Sequence, residues 1–279
     1  MVSSDKNIIK YNDAAAYDAM MGVWSQLLGS QFISWLKPVS NKKWIDIGCG
    51  SGAFTEQIFT QCAPNKLTGI DPSKEQIEFA TNRFSSDVLS FQVADAMSLP
   101  FEENCFDFAS MALVLFFVPN PLVGVKEMVR VVKSGGSISA YVWDVYGGGL
   151  PVEIVHFGLR KMGIEYPIPP SAEASKIHNL NELWLVAGLT KIETRKITVE
   201  RTFANFEELW RNTLKSPALK PVLNRINSDE LKPVLNRINS DELIKLKQIV
   251  KGTLKPRTDR SVTCSAHANA IKGIVSKII

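Results

Sequence analysis

Three acids and three glycines carry most of the chemistry this sequence offers. Trp44-Ile-Asp46-Ile-Gly48-Cys-Gly50-Ser-Gly52-Ala-Phe-Thr55 is an apolar run that ends in an acid and breaks into glycines at alternate positions. It reads as a strand that delivers a nucleotide-like ligand to the N-terminus of a helix opening near Ala53. Glycine suits such a loop because a ligand approaches its backbone closely and because the turn visits angles that a Cβ disfavours. The helix then points unpaired N–H groups at the ligand. Gly48, Gly50 and Ala53 also satisfy the G-x-G-x-x-G/A dinucleotide fingerprint, so the glycines alone leave the ligand open.

Spacing downstream narrows the choice. Leu67-Thr-Gly-Ile70 ends in Asp71, about 20 residues past the glycines, where an acid can hold ribose hydroxyls. Leu89–Val93 leads into Ala94-Asp95-Ala96 and Leu99-Pro-Phe101, and a further apolar run starts at Phe106-Asp-Phe. A single Asp at a strand end is often only a cap or turn former. Three consecutive strands ending in an acid, after a glycine loop, point to ligand binding.

Taken in order, Asp46-x-Gly-x-Gly-x-Gly52, Gly69-Ile-Asp71-Pro-Ser73, Asp95-Ala-x-x-Leu-Pro-Phe101, Phe106-Asp-Phe and Val132-Lys-Ser-Gly-Gly136 resemble the motifs of class I S-adenosylmethionine-dependent methyltransferases. The set is similar to the small-molecule type 11 group and to quinone-biosynthesis C-methyltransferases, over roughly residues 44–144. Met21-Gly-x-Trp-Ser25 and Tyr141-Val-Trp-Asp144 extend the likeness. The resemblance implies that Gly48, Gly50, Ser51 and Gly52 lie against the methionine part of S-adenosylmethionine, with Asp46 supporting the loop and the amino group. It implies further that Asp71 takes the ribose hydroxyls, Asp95 the adenine amino group and the Ala96 backbone an adenine ring nitrogen, while Ala112 lies beside the cofactor through its backbone. Relatives often carry His or Asn near Phe116, where this chain is apolar.

These motifs need a scaffold, and the alternation of elements supplies one. Strands and helices alternate from the first glycine loop to Trp143, which predicts an α/β fold with a doubly wound, Rossmann-like, mostly parallel sheet and ligands at the strands' C-terminal ends. The run from Phe106 to Val118 reads as a buried parallel strand. Asn120-Pro121 should cap and start a helix over Leu122–Val132, ended by Ser134-Gly-Gly136. Lys191–Phe203 and Arg260–Ile274 should complete the sheet, the last strand antiparallel as the resemblance implies. The expected organisation is a helical flap over 1–40, a cofactor-binding core over 41–145, lid insertions over 146–190 and 204–259, and completing strands over 191–203 and 260–279. The segment Tyr146–Asn179, with Gly147-Gly-Gly149 and Tyr166-Pro-Ile-Pro-Pro170, reads as a loop-rich part of the substrate enclosure.

Methyl transfer requires an acceptor held about 3–3.5 Å from the methyl carbon, exclusion of water, and a base where the acceptor must lose a proton. Trp143 and Tyr146 are candidates to wall the acceptor pocket. Asp144 either acts as a base, orients the substrate or caps a turn, and His156 and His178 are further candidate bases. The expected activity is methyl transfer from S-adenosylmethionine to a small organic acceptor. The rivals are a non-catalytic S-adenosylmethionine-binding module, which the apolar Phe116-Phe117 keeps open, and an NAD-dependent oxidoreductase, which the glycines permit.

Composition trims the alternatives. No apolar run approaches the roughly 18 residues that span a bilayer. Met1-Val-Ser-Ser-Asp-Lys lacks the charged-then-apolar build of an export signal, so a cytoplasmic location is expected. Cys49, Cys62, Cys105 and Cys264 are scattered and suggest neither a disulfide framework nor a zinc site, and no metal is expected. Acidic residues outnumber basic ones over 1–190 and the order reverses over 191–260. The later lysines recur among apolar residues, as in Leu243-Ile-Lys-Leu-Lys-Gln-Ile-Val250, which is a solvated helix face rather than a nucleic-acid stripe. Leu219–Glu230 is repeated without change as Leu231–Glu242. In one continuous helix, twelve residues turn the face by about 120°, so the copies cannot share a buried face, and the repeat reads either as a tandem duplication tolerated in a surface excursion or as a sequence-assembly error, with no function assigned. Oligomeric state is left open.

Overall fold

A computed structural model describes residues 14–84, 86–216, 219, 240–254 and 257–276. Most of the repeat over 219–242 lies outside these residues. The chain opens with helix α1 (Ala14–Leu36) and then alternates through β1 (Lys43–Ile47), α2 (Ala53–Cys62), β2 (Lys66–Asp71), α3 (Lys74–Arg83), β3 (Leu89–Val93) and β4 (Phe106–Ala112). There follow α4 (Pro121–Val131), β5 (Val132–Trp143), α5 (Glu153–Lys161), α6 (Ile177–Val186), β6 (Leu189–Phe203), α7 (Phe206–Leu214), α8 (Ser240–Thr253) and β7 (Val262–Val275).

The seven strands form one sheet in the order β3-β2-β1-β4-β5-β7-β6. The pairs among the first five strands are parallel, and β7 runs antiparallel to both β5 and β6. Order reverses between β1 and β4, which places the topological switch point beside the glycine loop. Strand alternation separates the two helical layers. Tyr141 of β5 packs on Phe32 of α1 and Phe54 of α2, with ring centroids 4.6 and 5.6 Å away. Ile138 has the opposite parity and pairs with Gly273, which lies against Trp184 of α6. So α1 and α2 cover one face and α6 the other, with α4 packed beside α6.

The helix ends follow local chemistry. Asn120 accepts a bond from the Val123 N–H and Pro121 opens α4, as the sequence predicted. Ser73 caps α3 and Asn205 caps α7. Three expectations shift. The apolar run from Phe106 stays a strand only to Ala112, because Leu113 turns through φ 62° and residues 115–117 form a 3-10 turn. Ser134-Gly-Gly136 does not end α4 but lies in β5, where the pairing with β4 shifts register between Phe106 and Phe108. The segment 146–179 carries α5, a 3-10 turn at Ala172–Ser175 and the start of α6.

Candidate functional site

The glycine loop leaves β1 through three left-handed residues, Gly48, Gly50 and Gly52, at φ 74°, 52° and 84°. Gly48 and Cys49 both donate to the Ile70 carbonyl, at 2.7 and 2.8 Å, which ties the loop to the end of β2. A Cβ on Gly48 would lie 2.4 Å from Val114, and one on Gly52 2.7 Å from Phe84. A Cβ on Gly50 would meet nothing nearer than 4.0 Å, so its open side faces space that protein does not fill. Gly52 is the N-cap of α2 and offers no side chain, leaving the first N–H groups of that helix directed at the loop.

Asp46 is fully buried on β1. Its Oδ2 accepts the Thr55 hydroxyl at 2.6 Å, while Oδ1 has no partner among the described residues. Burial raises its pKa to about 7, opposed by the Thr55 bond and assisted by the charge of Asp71. Asp71 ends β2, and its two oxygens accept the N–H groups of Gly50 (3.0 Å) and Ser73 (2.9 Å). Burial raises its pKa too, against those two bonds. Burial and the charges of Asp46 and Asp71 push the Cys49 thiol well up, so it is an inert filler in the loop.

The next strand end is adjacent, since Ala94 donates to the Asp71 carbonyl at 3.1 Å. Asp95 is exposed and accepts the Met97 N–H at 2.8 Å. A brace that sequence reading missed holds this turn. Glu127 accepts the Leu99 N–H, and Arg130 donates to the carbonyls of Leu99 and Phe101, all at 2.7–2.8 Å. The i,i+3 spacing on α4 was visible in sequence, but its backbone targets were not.

Ala112 ends β4 beside Tyr141, and the buried Phe116 packs edge-on against Phe117. Trp143 is buried at the end of β5, with its indole N–H unpartnered among the described residues. Asp144 is the centre of a local lock. Its Oδ1 accepts the Gly147 N–H at 2.8 Å, and Oδ2 lies 3.3 Å from His267 Nε2 and 3.7 Å from Lys196 Nζ. Tyr146 is half exposed, and its ring sits 4.5 Å from Lys176 Nζ. His178 is exposed on α6. His156 is buried on α5, stacked on Tyr166 at 3.8 Å. The fold thus gathers Asp46, Gly48–Gly52, Asp71 and the Asp95-Ala96 turn at adjacent ends of β1, β2 and β3. Ala112, Trp143 and Asp144 share the same sheet edge, and Tyr146 and His178 point to the surface.

Whether S-adenosylmethionine suits this cradle can be tested on its donors and acceptors. The orphaned carboxylate oxygen of Asp46 calls for a hydrogen-bond donor, and an amino group is one. A carboxylate offers about four lone-pair positions, so Asp71 retains acceptor capacity for two hydroxyls beyond its backbone bonds. The open side of Gly50 lets a ligand approach the backbone. The residues fit.

Comparison with known proteins agrees. Residues 45–140 match the family described as a methyltransferase domain. A demethylmenaquinone methyltransferase of Staphylococcus aureus is 38% identical over 98 residues, which cover 34% of this chain and 41% of that protein. The chain therefore spans about two fifths of the length of the curated relatives it matches. Among solved structures, a chain from the complex with the Trm112 methyltransferase activator of Haloferax volcanii superposes with a TM-score of 0.57 at 17% identity, over 96% of both chains. Phosphoethanolamine N-methyltransferase 2 of Haemonchus contortus, solved with S-adenosyl-L-methionine, gives 0.57 at 17%, over 95% of this chain and 57% of that one. These likenesses show the fold. The class I methyltransferase resemblance carried by the motifs is borne out. Among the described residues no group of His, Cys, Asp and Glu could hold a metal ion, and no helix is long and apolar enough to cross a membrane.

Proposed function

We propose that this protein transfers a methyl group from S-adenosylmethionine to a small organic acceptor in the cytoplasm. The observation that carries the reading is the buried Asp46 with one orphaned oxygen, set beside a glycine loop whose next acid, Asp71, is bonded to that loop. Asp46 would hold the amino group, the loop at Gly48, Gly50, Ser51 and Gly52 the methionine part, and Asp71 the ribose hydroxyls. Asp95 and the Ala96 backbone would read adenine, with the Ala112 backbone alongside. When bound, the sulfonium supplies an already activated methyl group. The chain's own task is then to orient the acceptor, exclude water and provide a place for any proton the acceptor sheds.

Residues 41–145 form the cofactor-binding core in this reading, with 191–203 and 260–279 completing its sheet. Residues 1–40, of which 1–13 lie outside the described residues, act as a flap, and 146–190 and 204–259, described except for 217–218, 220–239 and 255–256, enclose the acceptor. Trp143 is a wall of that enclosure and Asp144 anchors the loop that enters it. The described cysteines are all free thiols, which suits a reducing compartment. Calorimetric titration with S-adenosylmethionine, S-adenosylhomocysteine and NAD tests the reading, with Asp71→Ala as control. Selective binding of the first two, weakened by the substitution, is expected. No binding, or preference for NAD, overturns it; selective binding without turnover on any acceptor identifies a non-catalytic module.

A further inference from the structure

Between β5 and the 3-10 turn at 172–175 the chain forms an arch whose two ends are tied to the sheet edge that carries the glycine loop. Its start is pinned at β5, where Gly149 donates to the Asp144 carbonyl at 2.8 Å and His267 donates to Gly149 at 3.0 Å. Its end is pinned to the loop after β4, through Ser171 N–H to Phe116 (2.9 Å) and Ser171 Oγ to Val118 (2.7 Å). That loop also carries Val114, which abuts Gly48.

Helix α5 lies in the arch with two unlike sides. Val155 and Leu159 pack with Trp210, Leu246 and Val250. The other side presents Glu153, His156 and Arg160 at i, i+3 and i+7. The Tyr166 ring covers His156 with an interplanar angle of 14°, and the Tyr166 hydroxyl accepts from Arg160 at 2.6 Å. Arg160 also pairs with Glu153 Oε1. His156 is 3% exposed, and neither ring nitrogen has a partner among the described residues. Glu153 Oε2 is likewise buried and unpartnered.

Orphaned buried polar atoms are rare in native structures, and three on one helix turn at a proposed acceptor enclosure mark a place for a ligand. The cluster offers one donor and one acceptor from a neutral imidazole, and one more acceptor from the carboxylate. Burial, with the charge of Arg160, pushes the His156 pKa down to about 3, so it brings no positive charge to an anion. Arg160 is engaged on two sides. A carboxylate or phosphate would face the free oxygen of Glu153, while Arg160, the cation beside it, already donates to Glu153 Oε1 and to the Tyr166 hydroxyl.

We propose that Glu153 and His156 recognise the methyl acceptor, and that they select a neutral or cationic small molecule bearing an O–H or N–H group over carboxylates and phosphates. This rests on the methyltransferase reading above. Three histidines make ring resonances tractable, and His156→Phe assigns the one in question. The protein saturated with S-adenosylhomocysteine is titrated with catechol, benzylamine, benzoate and phenyl phosphate while the His156 ring nitrogens are followed by NMR. Catechol and benzylamine should shift the His156 signals, and benzoate and phenyl phosphate should not. Glu153→Gln should weaken benzylamine by about tenfold or more, the size of a lost charge-assisted bond, and leave S-adenosylhomocysteine affinity within about twofold. The proposal is overturned if no probe moves His156 in the loaded protein, or if the anions move it as much. Failure of S-adenosylhomocysteine to bind is a separate result that overturns the methyltransferase reading and this proposal with it.

Discussion

Replacing Asp46 by asparagine should stabilise the ligand-free protein and at the same time weaken its hold on S-adenosylmethionine. Burial raises the Asp46 pKa from 3.8 to about 7. Between those values the folded state binds more protons than the unfolded state, so stability falls as pH rises through the window and stays lowered above it. Roughly three pKa units at about 1.4 kcal/mol each make the ionised carboxylate cost about 4 kcal/mol at pH 8. Asparagine avoids that cost but leaves an amide N–H without a partner, at about 1–3 kcal/mol, so a net gain of about 1–3 kcal/mol remains. Calorimetry at pH 8 should show a midpoint higher by about 2 to 8 °C, and the gain should vanish near pH 4, where the wild-type carboxyl is already neutral. Binding of a cationic amino group returns Asp46 to its ionised form. Wild-type affinity for S-adenosylhomocysteine should therefore rise by up to about tenfold per pH unit between pH 5 and 7, with release of about one proton at pH 6. The asparagine variant should lose this limb. A lower midpoint at pH 8 together with unchanged, pH-independent ligand affinity would refute the argument.

Gly48→Ala should damage the fold, since its Cβ would strike Val114, whereas Gly50→Ala should fold with modest strain yet lose cofactor affinity; circular dichroism melts and calorimetric titration separate the two. Arg130→Lys removes a fork that ties Leu99 and Phe101 to α4, and should weaken S-adenosylhomocysteine by about tenfold while leaving the melting midpoint within a few degrees, because the turn it releases carries Asp95 and Ala96, the proposed adenine contacts. Asp144→Asn should cost less than about tenfold in turnover, since asparagine still accepts from Gly147; a loss of about 10²–10⁴ would instead make Asp144 the base.

The parts of the fold visible in sequence are those whose signal is local. An apolar run closed by an acid marks the ends of β1 and β2, and Asn120-Pro121 marks the start of α4. Periodicity could not show where β4 stops, because Leu113–Phe117 is as apolar as the strand before it. The stop coincides with Leu113, whose backbone turns to φ 62° while its N–H still bonds the Tyr141 carbonyl at 2.8 Å. Ser134-Gly-Gly136 carries the composition of a helix stop but the space of a strand: a Cβ on Gly136 would sit 2.7 Å from the Asp107 carbonyl. The site divides in the same way. Asp46, Asp71 and the glycines were legible, while Arg130 and His267 act on groups 29 to 123 positions away and left no mark in spacing.

A buried carboxylate and a half-buried one beside a glycine loop also bear on which nucleotide the loop admits. A loop and helix N-terminus of this kind would by themselves favour a pyrophosphate. Asp46 and Asp71 oppose it, since each ionised carboxylate within about 5 Å of a phosphate costs about 3 kcal/mol at an effective dielectric of about 20. Burial holds both pKa values above the ordinary carboxylate range, with the charge of Asp71 adding to the rise at Asp46, so ionisation is disfavoured while the site holds no cation. A ligand carrying an ammonium and a sulfonium relieves that repulsion, whereas a dinucleotide compounds it. The glycine pattern shared with dinucleotide-binding folds is therefore read by its acids: the backbone supplies room, and the charge of Asp46 and Asp71 decides in favour of a cationic nucleoside.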